Sequence, residues 1–175
     1  MKTSFDTIEY LKSGNETQKR VYEILIKHRV MERLKDFDPI LTGTIPIRID
    51  IETSDLDIVC CYPDKALFTN YLKDSFGAED RFTLWEQSEQ RAVICNFWLD
   101  GFELEIFGQD FPSRKQNAYR HMLIEHQLLE ERGESFRREI IALKRQGYKT
   151  EPAFAMALGL TGNPYEELLK LEANE

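Results

Sequence analysis

The chain has 175 residues, 42% hydrophobic and 11% aromatic, and its 31 Asp and Glu against 23 Lys and Arg give a formal charge of −8. Such a chain forms a single domain that buries roughly 70% of the surface its unfolded form exposes, which excludes disorder and the need for a disulfide framework. No apolar run approaches the ~20 residues of a membrane span, the N-terminus lacks the apolar stretch of a signal peptide, and the acidic balance argues against a large phosphate-backbone footprint. The expectation is a cytoplasmic protein with no membrane partner and no nucleic-acid partner, of open oligomeric state.

From Thr17 to about Lys35, Val21, Ile24, Leu25, Met31 and Leu34 recur at helical spacing behind an Asn15 or Thr17 cap. Past Pro39, Ile45, Ile47, Ile49 and Ile51 alternate with polar residues or Pro46, a period of two that predicts an extended segment. Asp55 to Tyr62 reads as a central strand, and Asp64 caps a helix from Lys65 to Ser75 closed by Gly77. Strands follow over Arg81 to Glu86, Ala92 to Leu99 and Phe102 to Phe107, the last two joined by the hairpin dipeptide Asp100-Gly101. Beyond Pro112 the pattern is helical: Gln116 to Arg132, Glu134 to Gln146, Glu151 to Leu160 and Pro164 to Glu172. The fold class is α/β (α+β), a small mixed sheet flanked by helices. Residues 1–112 form its core, and a helical C-terminal segment, 113–175, packs on that core and closes one side of a cleft.

The chemistry concentrates in Leu41-Thr42-Gly43-Thr44 and, ten residues on, Ser54-Asp55-Leu56-Asp57-Ile58. Alternation along a strand points Asp55 and Asp57 the same way, about 6 to 7 Å apart. Paired carboxylates bind a hard divalent cation that substrate phosphates complete. In Phe102 to Phe107 the apolar residues share one face and Glu103 and Glu105 the other, so either acid can add a third carboxylate. Gly43 lets backbone approach a phosphate, and Thr44 carries a hydroxyl to it.

This arrangement resembles the polymerase-beta-like nucleotidyltransferase superfamily, whose signature is Gly-Ser, a spacer, then a hydrophobic-flanked Asp-x-Asp or Asp-x-Glu on a strand. Here Thr44 stands for the serine, and Ser54 precedes Asp55 where the family has an apolar residue. The likeness spans Leu41 to Phe107, and "SDLDI" with Pro46 soon after Gly-Thr is similar to the short stand-alone bacterial branch. The resemblance implies a nucleotidyltransferase-type sheet, Mg²⁺ or Mn²⁺ held by Asp55, Asp57 and Glu105 with Glu103 as substitute, and these acids as the catalytic set. It implies an NTP held at Gly43, Thr44, Ser54 and Arg48, and transfer of a nucleoside monophosphate to a small-molecule or protein hydroxyl. Arg120 and His121, in the polar opening of the helix after the hairpin, are candidates for contact with the unknown acceptor.

Two other readings stay open: a catalytically degenerate nucleotide-binding or interaction module of the same fold, and a structural partner of another subunit. Arg137-Arg138 and Lys144-Arg145, seven residues apart, read as a solvated helix face. Cys60, Cys61 and Cys95 contain no CxxC and read as reduced core or near-core residues. The three histidines lack zinc-ligand spacing.

Overall fold

The computed structural model describes residues 4–172. The ends of the two expected segments, residues 1–3 and 173–175, lie outside the described residues. Helix α1 (Glu16–Lys27) opens on a capping box in which the Asn15 side chain accepts from the Gln18 amide and the Gln18 side chain accepts from the Asn15 amide. Val21, Ile24 and Leu25 turn inward from it. The helix ends earlier than the apolar spacing suggests, because Arg29 takes a left-handed φ of 52° before the short α2 (Val30–Arg33).

Five strands form one mixed sheet: β1 (Ile40–Thr42), β2 (Leu56–Cys61), β3 (Asp80–Gln87), β4 (Ala92–Leu99) and β5 (Phe102–Gln109), in the order β1-β2-β5-β4-β3. Only β2 and β5 run parallel; the other pairs are antiparallel. The β4–β5 hairpin turns where expected, with positive φ at both Asp100 (47°) and Gly101 (92°), the backbone a two-residue hairpin requires.

One sheet face is apolar. Leu56, Ile58 and Cys60 of β2, Cys95 and Phe97 of β4, and Leu104 and Ile106 of β5 pack with α1 and α3 (Lys65–Phe76) in the main core. Asp64 caps α3 by accepting from the Leu67 amide at 2.8 Å. Phe68 of α3 reaches the sheet because Gly108 of β5 carries no side chain: a Cβ there would overlap the Phe68 ring.

The tail helices α4 (Asn117–Arg145), α5 (Thr150–Leu158) and α6 (Pro164–Leu169) stand across a cleft from the opposite sheet face. The break expected at Gly133 is a kink: its φ of 79° and ψ of −169° are non-helical, yet α4 resumes at once. The tail has its own core, where Phe136, Ile140, Phe154 and Leu168 pack with Ile47 and Ile49.

Those two isoleucines belong to the stretch expected as a strand, and the structure corrects that expectation. Residues 45–48 form a turn, with Arg48 at a φ of 60°. Pro46 offers no amide hydrogen, and among the described residues no strand pairs with this stretch. The Ile45 carbonyl accepts from the Arg48 amide within the turn at 3.2 Å, and side chains supply the other donors. Gln18 Nε2 donates to the Ile45 and Pro46 oxygens at 3.0 and 3.2 Å, Arg137 Nη1 to the Ile47 oxygen, and Lys144 Nζ to the Ile49 oxygen at 2.9 Å. The alternating isoleucines reflect two cores, with Ile45 in the main one and Ile47 and Ile49 in the tail's.

Candidate functional site

Leu56 and Ile58, and likewise Leu104 and Ile106, are at most 1% exposed. Their burial forces the alternate residues onto the other sheet face. Asp57 and Glu105 are register partners across the parallel β2–β5 pair, so their side chains stand side by side. Asp55 lies two residues before Asp57, and all three acids line one cleft of about 1000 Å³ between the sheet and the tail helices. Glu103 does not line it: its Oε1 accepts from Asn96 Nδ2 at 2.9 Å.

Burial pushes the Asp57 carboxyl well above the ordinary carboxylate range, and the charges of Asp55 and Glu105 push it further. Burial likewise raises Asp55, helped by Glu103, and raises Glu105, helped by Asp55. Among the described residues, the cation whose charge pulls Asp55 and Asp57 back down is Lys144. Oxygen donors that repel one another fit a hard divalent ion in their chemistry. Among the described residues no three or more His, Cys, Asp or Glu side chains are already gathered to hold a metal ion. The fit is therefore one of donor type and strand register, not of a preformed cage.

Gly43 follows β1 with a φ of 81°, and a Cβ there would collide with Asp57 Oδ2. Glycine thus lets the turn and the carboxylate occupy neighbouring space. The Thr44 hydroxyl donates to Ser54 Oγ at 3.3 Å, and Ser54 Oγ accepts from the Ile51 amide at 2.9 Å, which closes the loop. Gly43, Thr44 and Ser54 all line the cleft. Arg48 does not; its exposed guanidinium lies 3.9 Å from Glu130.

The far wall comes from the tail. His121 and Glu125, one turn apart on α4, line the cleft with Glu151 and Tyr165. His121 Nε2 donates to the Tyr165 carbonyl at 2.9 Å, and its Nδ1 lies 3.6 Å from Glu151 Oε1. Arg120 points elsewhere, its guanidinium 2.6 Å from Glu172. Gln116 explains the polar helix start: its side chain donates to the Cys60 carbonyl at 2.8 Å and anchors α4 to the end of β2.

Sequence reasoning missed Glu125, Glu151 and Lys144. Lys144 and Arg137 do not lie on a solvated face; they are 7% and 6% exposed, whereas their neighbours Arg138 and Arg145 are exposed. A signal was present, since Arg137, Ile140 and Lys144 keep the three- and four-residue spacing of a buried stripe. Burial pushes Lys144 below the ordinary lysine value, against the pull of Glu125, Asp50, Asp55 and Glu151.

Comparison with solved structures finds the same fold. The Cid1 poly(U) polymerase bound to MgGTP superposes with a TM-score of 0.63 at 10% identity, covering 86% of this chain and 53% of that one. A cytoplasmic RNA terminal U-transferase gives 0.59 at 12%, covering 86% and 50%, and the GLD-2/RNP-8 complex 0.57 at 9%, covering 87% and 63%. The chain thus spans about half the length of the first of these structures. They are nucleotidyltransferases of the polymerase-beta-like fold, and the five-stranded mixed sheet with its helices shares that fold. No curated protein matches the chain. Among the described residues no helix is long and apolar enough to cross a membrane. The sequence from residue 23 to 171 matches the family model described as "Domain of unknown function (DUF4269)", and the chain belongs to that family.

Proposed function

We propose that this protein transfers the nucleoside monophosphate of an NTP to a hydroxyl acceptor in the cleft between the sheet and the tail helices. The observation that carries this reading is the register pairing of Asp57 with Glu105, with Asp55 and the Gly43-Thr44 turn beside them. Asp55, Asp57 and Glu105 would hold a divalent cation, Mg²⁺ or Mn²⁺, which supplies charge neutralisation to the triphosphate and to the leaving pyrophosphate. The Gly43-Thr44 turn brings backbone amides to the phosphates, and the bond from the Thr44 hydroxyl to Ser54 holds that turn in shape. The acceptor oxygen forms its bond to the α-phosphorus as the bond to the β-phosphate oxygen breaks. Glu105, its proton affinity raised by burial, takes the acceptor's proton.

The test incubates the full chain with each NTP, with Mg²⁺, Mn²⁺ or EDTA, and follows the melting temperature and pyrophosphate release. A ligand at about 100 times its Kd stabilises by roughly 2.7 kcal/mol, which a melt resolves. A metal-dependent shift lost in Asp57→Asn supports the reading; no shift with any NTP overturns it. A nucleotide-binding module that no longer transfers is the second reading, favoured by the absence of a gathered three-acid set among the described residues. It predicts the shift without pyrophosphate release in the presence of any acceptor.

A further inference from the structure

Phe5 is 4% exposed and packs in the tail core with Met122 and Leu129 of α4. Ile8 and Leu11, further along the same segment, pack in the main core under the sheet, and Tyr10 lies against both cores. The segment therefore ties together the two cores that flank the cleft, yet none of its described residues lines the cleft itself.

Its docking leaves two polar atoms unpaired. The Phe5 ring stands edge-on to Tyr10 at 5.2 Å and to the His126 imidazole at 5.1 Å. Tyr10 Oη and His126 Nδ1 are both buried there without a hydrogen-bond partner among the described residues. Buried polar atoms are nearly always paired, and each one that is not favours a state in which water reaches it. The carboxylate of Asp6 joins the segment to the start of α4, 2.8 Å from Arg114 Nη2, but the pair is exposed and water competes for it. Met122 both lines the cleft and shares the Phe5 cluster, and His126 follows it by one turn of α4. The first half of α4, up to the kink at Gly133, is thus the layer that separates Phe5 from the cleft.

We propose that residues 5–11 form a latch that exchanges between docked and undocked states, and that its docking holds the first half of α4 as the cleft wall. Undocking hydrates Tyr10 Oη and His126 Nδ1 and frees α4 from the sheet's core. A ligand that spans the cleft from the sheet to α4 favours the docked latch, and the docked latch favours that ligand by the same factor. This linkage rests on the nucleotidyl-transfer reading for its ligand, whereas the latch stands on the packing around Phe5.

The experiment follows amide hydrogen exchange of the full chain by mass spectrometry, first without ligand. Residues 5–14 and 117–132 are expected to exchange together and faster than β2, β4 and β5. Phe5→Ala is expected to speed both segments by about tenfold or more and to leave β4 unchanged. Tyr10→Phe, which removes one unpaired oxygen, is expected to slow them. If Phe5→Ala fails to fold, Phe5→Leu carries the test. Protection of 5–14 equal to that of β4, a Phe5 effect that does not reach 117–132, or faster exchange in Tyr10→Phe overturns the latch. Exchange with NTP and Mg²⁺ then tests the linkage. Slower exchange at 5–14, with weaker NTP binding in the Phe5 variant, supports it; NTP binding that leaves 5–14 unchanged overturns it. Absence of NTP binding removes nucleotidyl transfer and leaves the latch to be decided by the ligand-free exchange.

Discussion

Lys144 donates from its Nζ to the carbonyl oxygen of Ile49 at 2.9 Å, and through that bond the second half of α4 holds the loop that begins at Gly43. The site therefore depends on a side chain a hundred residues away from its signature. Lys144→Met keeps much of the apolar stem but leaves the Ile49 carbonyl unpaired and removes the positive charge among Glu125, Asp50, Asp55 and Glu151. Removing a buried charge also removes its desolvation cost, but a broken buried pairing outweighs that gain. The expected loss is about 1 to 3 kcal/mol, read from urea unfolding. An unchanged midpoint would show the bond to be dispensable.

Gly43→Ala acts on the turn itself. A φ of 81° costs an L-residue about 1 to 2 kcal/mol, and the added methyl meets Asp57 Oδ2. Stability falls by about that amount and NTP-dependent stabilisation is lost with it, because Asp57 must move. A variant that melts lower yet binds NTP as before would separate the turn from the site.

The three acids make stability depend on pH in a defined direction. Asp55, Asp57 and Glu105 have folded pKa values raised above their ordinary ones, so over the affected range the folded state holds more protons than the unfolded state. Their contribution is fully present below the unfolded carboxylate value, about 4, and is lost as pH rises through the raised folded values. Asp57→Asn is expected to flatten this slope and melt higher than the parent at neutral pH, since mutual repulsion is removed. Melting curves from pH 4 to 8 decide it; a destabilised Asp57→Asn at neutral pH would make the carboxylate structural.

Gly108→Ala is the control for damage to the core rather than the cleft. Its methyl overlaps the Phe68 ring, which packs α3 onto the sheet. Overpacking costs about 1 to 3 kcal/mol, visible as a lower unfolding midpoint. NTP-dependent stabilisation of the folded variant is expected to persist, in contrast to Gly43→Ala.

The sequence by itself determined the sheet's strands apart from the short β1, the Asp100-Gly101 hairpin, the helical tail and the placement of Asp57 on the strand face opposite Leu56 and Ile58, with Asp55 standing just before that strand. These follow from local rules: a period of two, a dipeptide suited to positive φ, helical spacing and glycine breaks. Only the tertiary structure decided between Glu103 and Glu105 as the acid beside Asp57, because that depends on the β2–β5 register and on Asn96 engaging Glu103. Ile45 to Ile51 misled for the same reason: alternation marks a strand only when another strand pairs its carbonyls, and here Gln18, Arg137 and Lys144 supply the donors. Arg137 and Lys144 looked solvated because charge suggests water, yet unpaired carbonyls in the 45–49 loop draw both into the interior. Glu125 and Glu151 reach the cleft only once α4 and α5 fold back over the sheet, a long-range packing that no local spacing encodes.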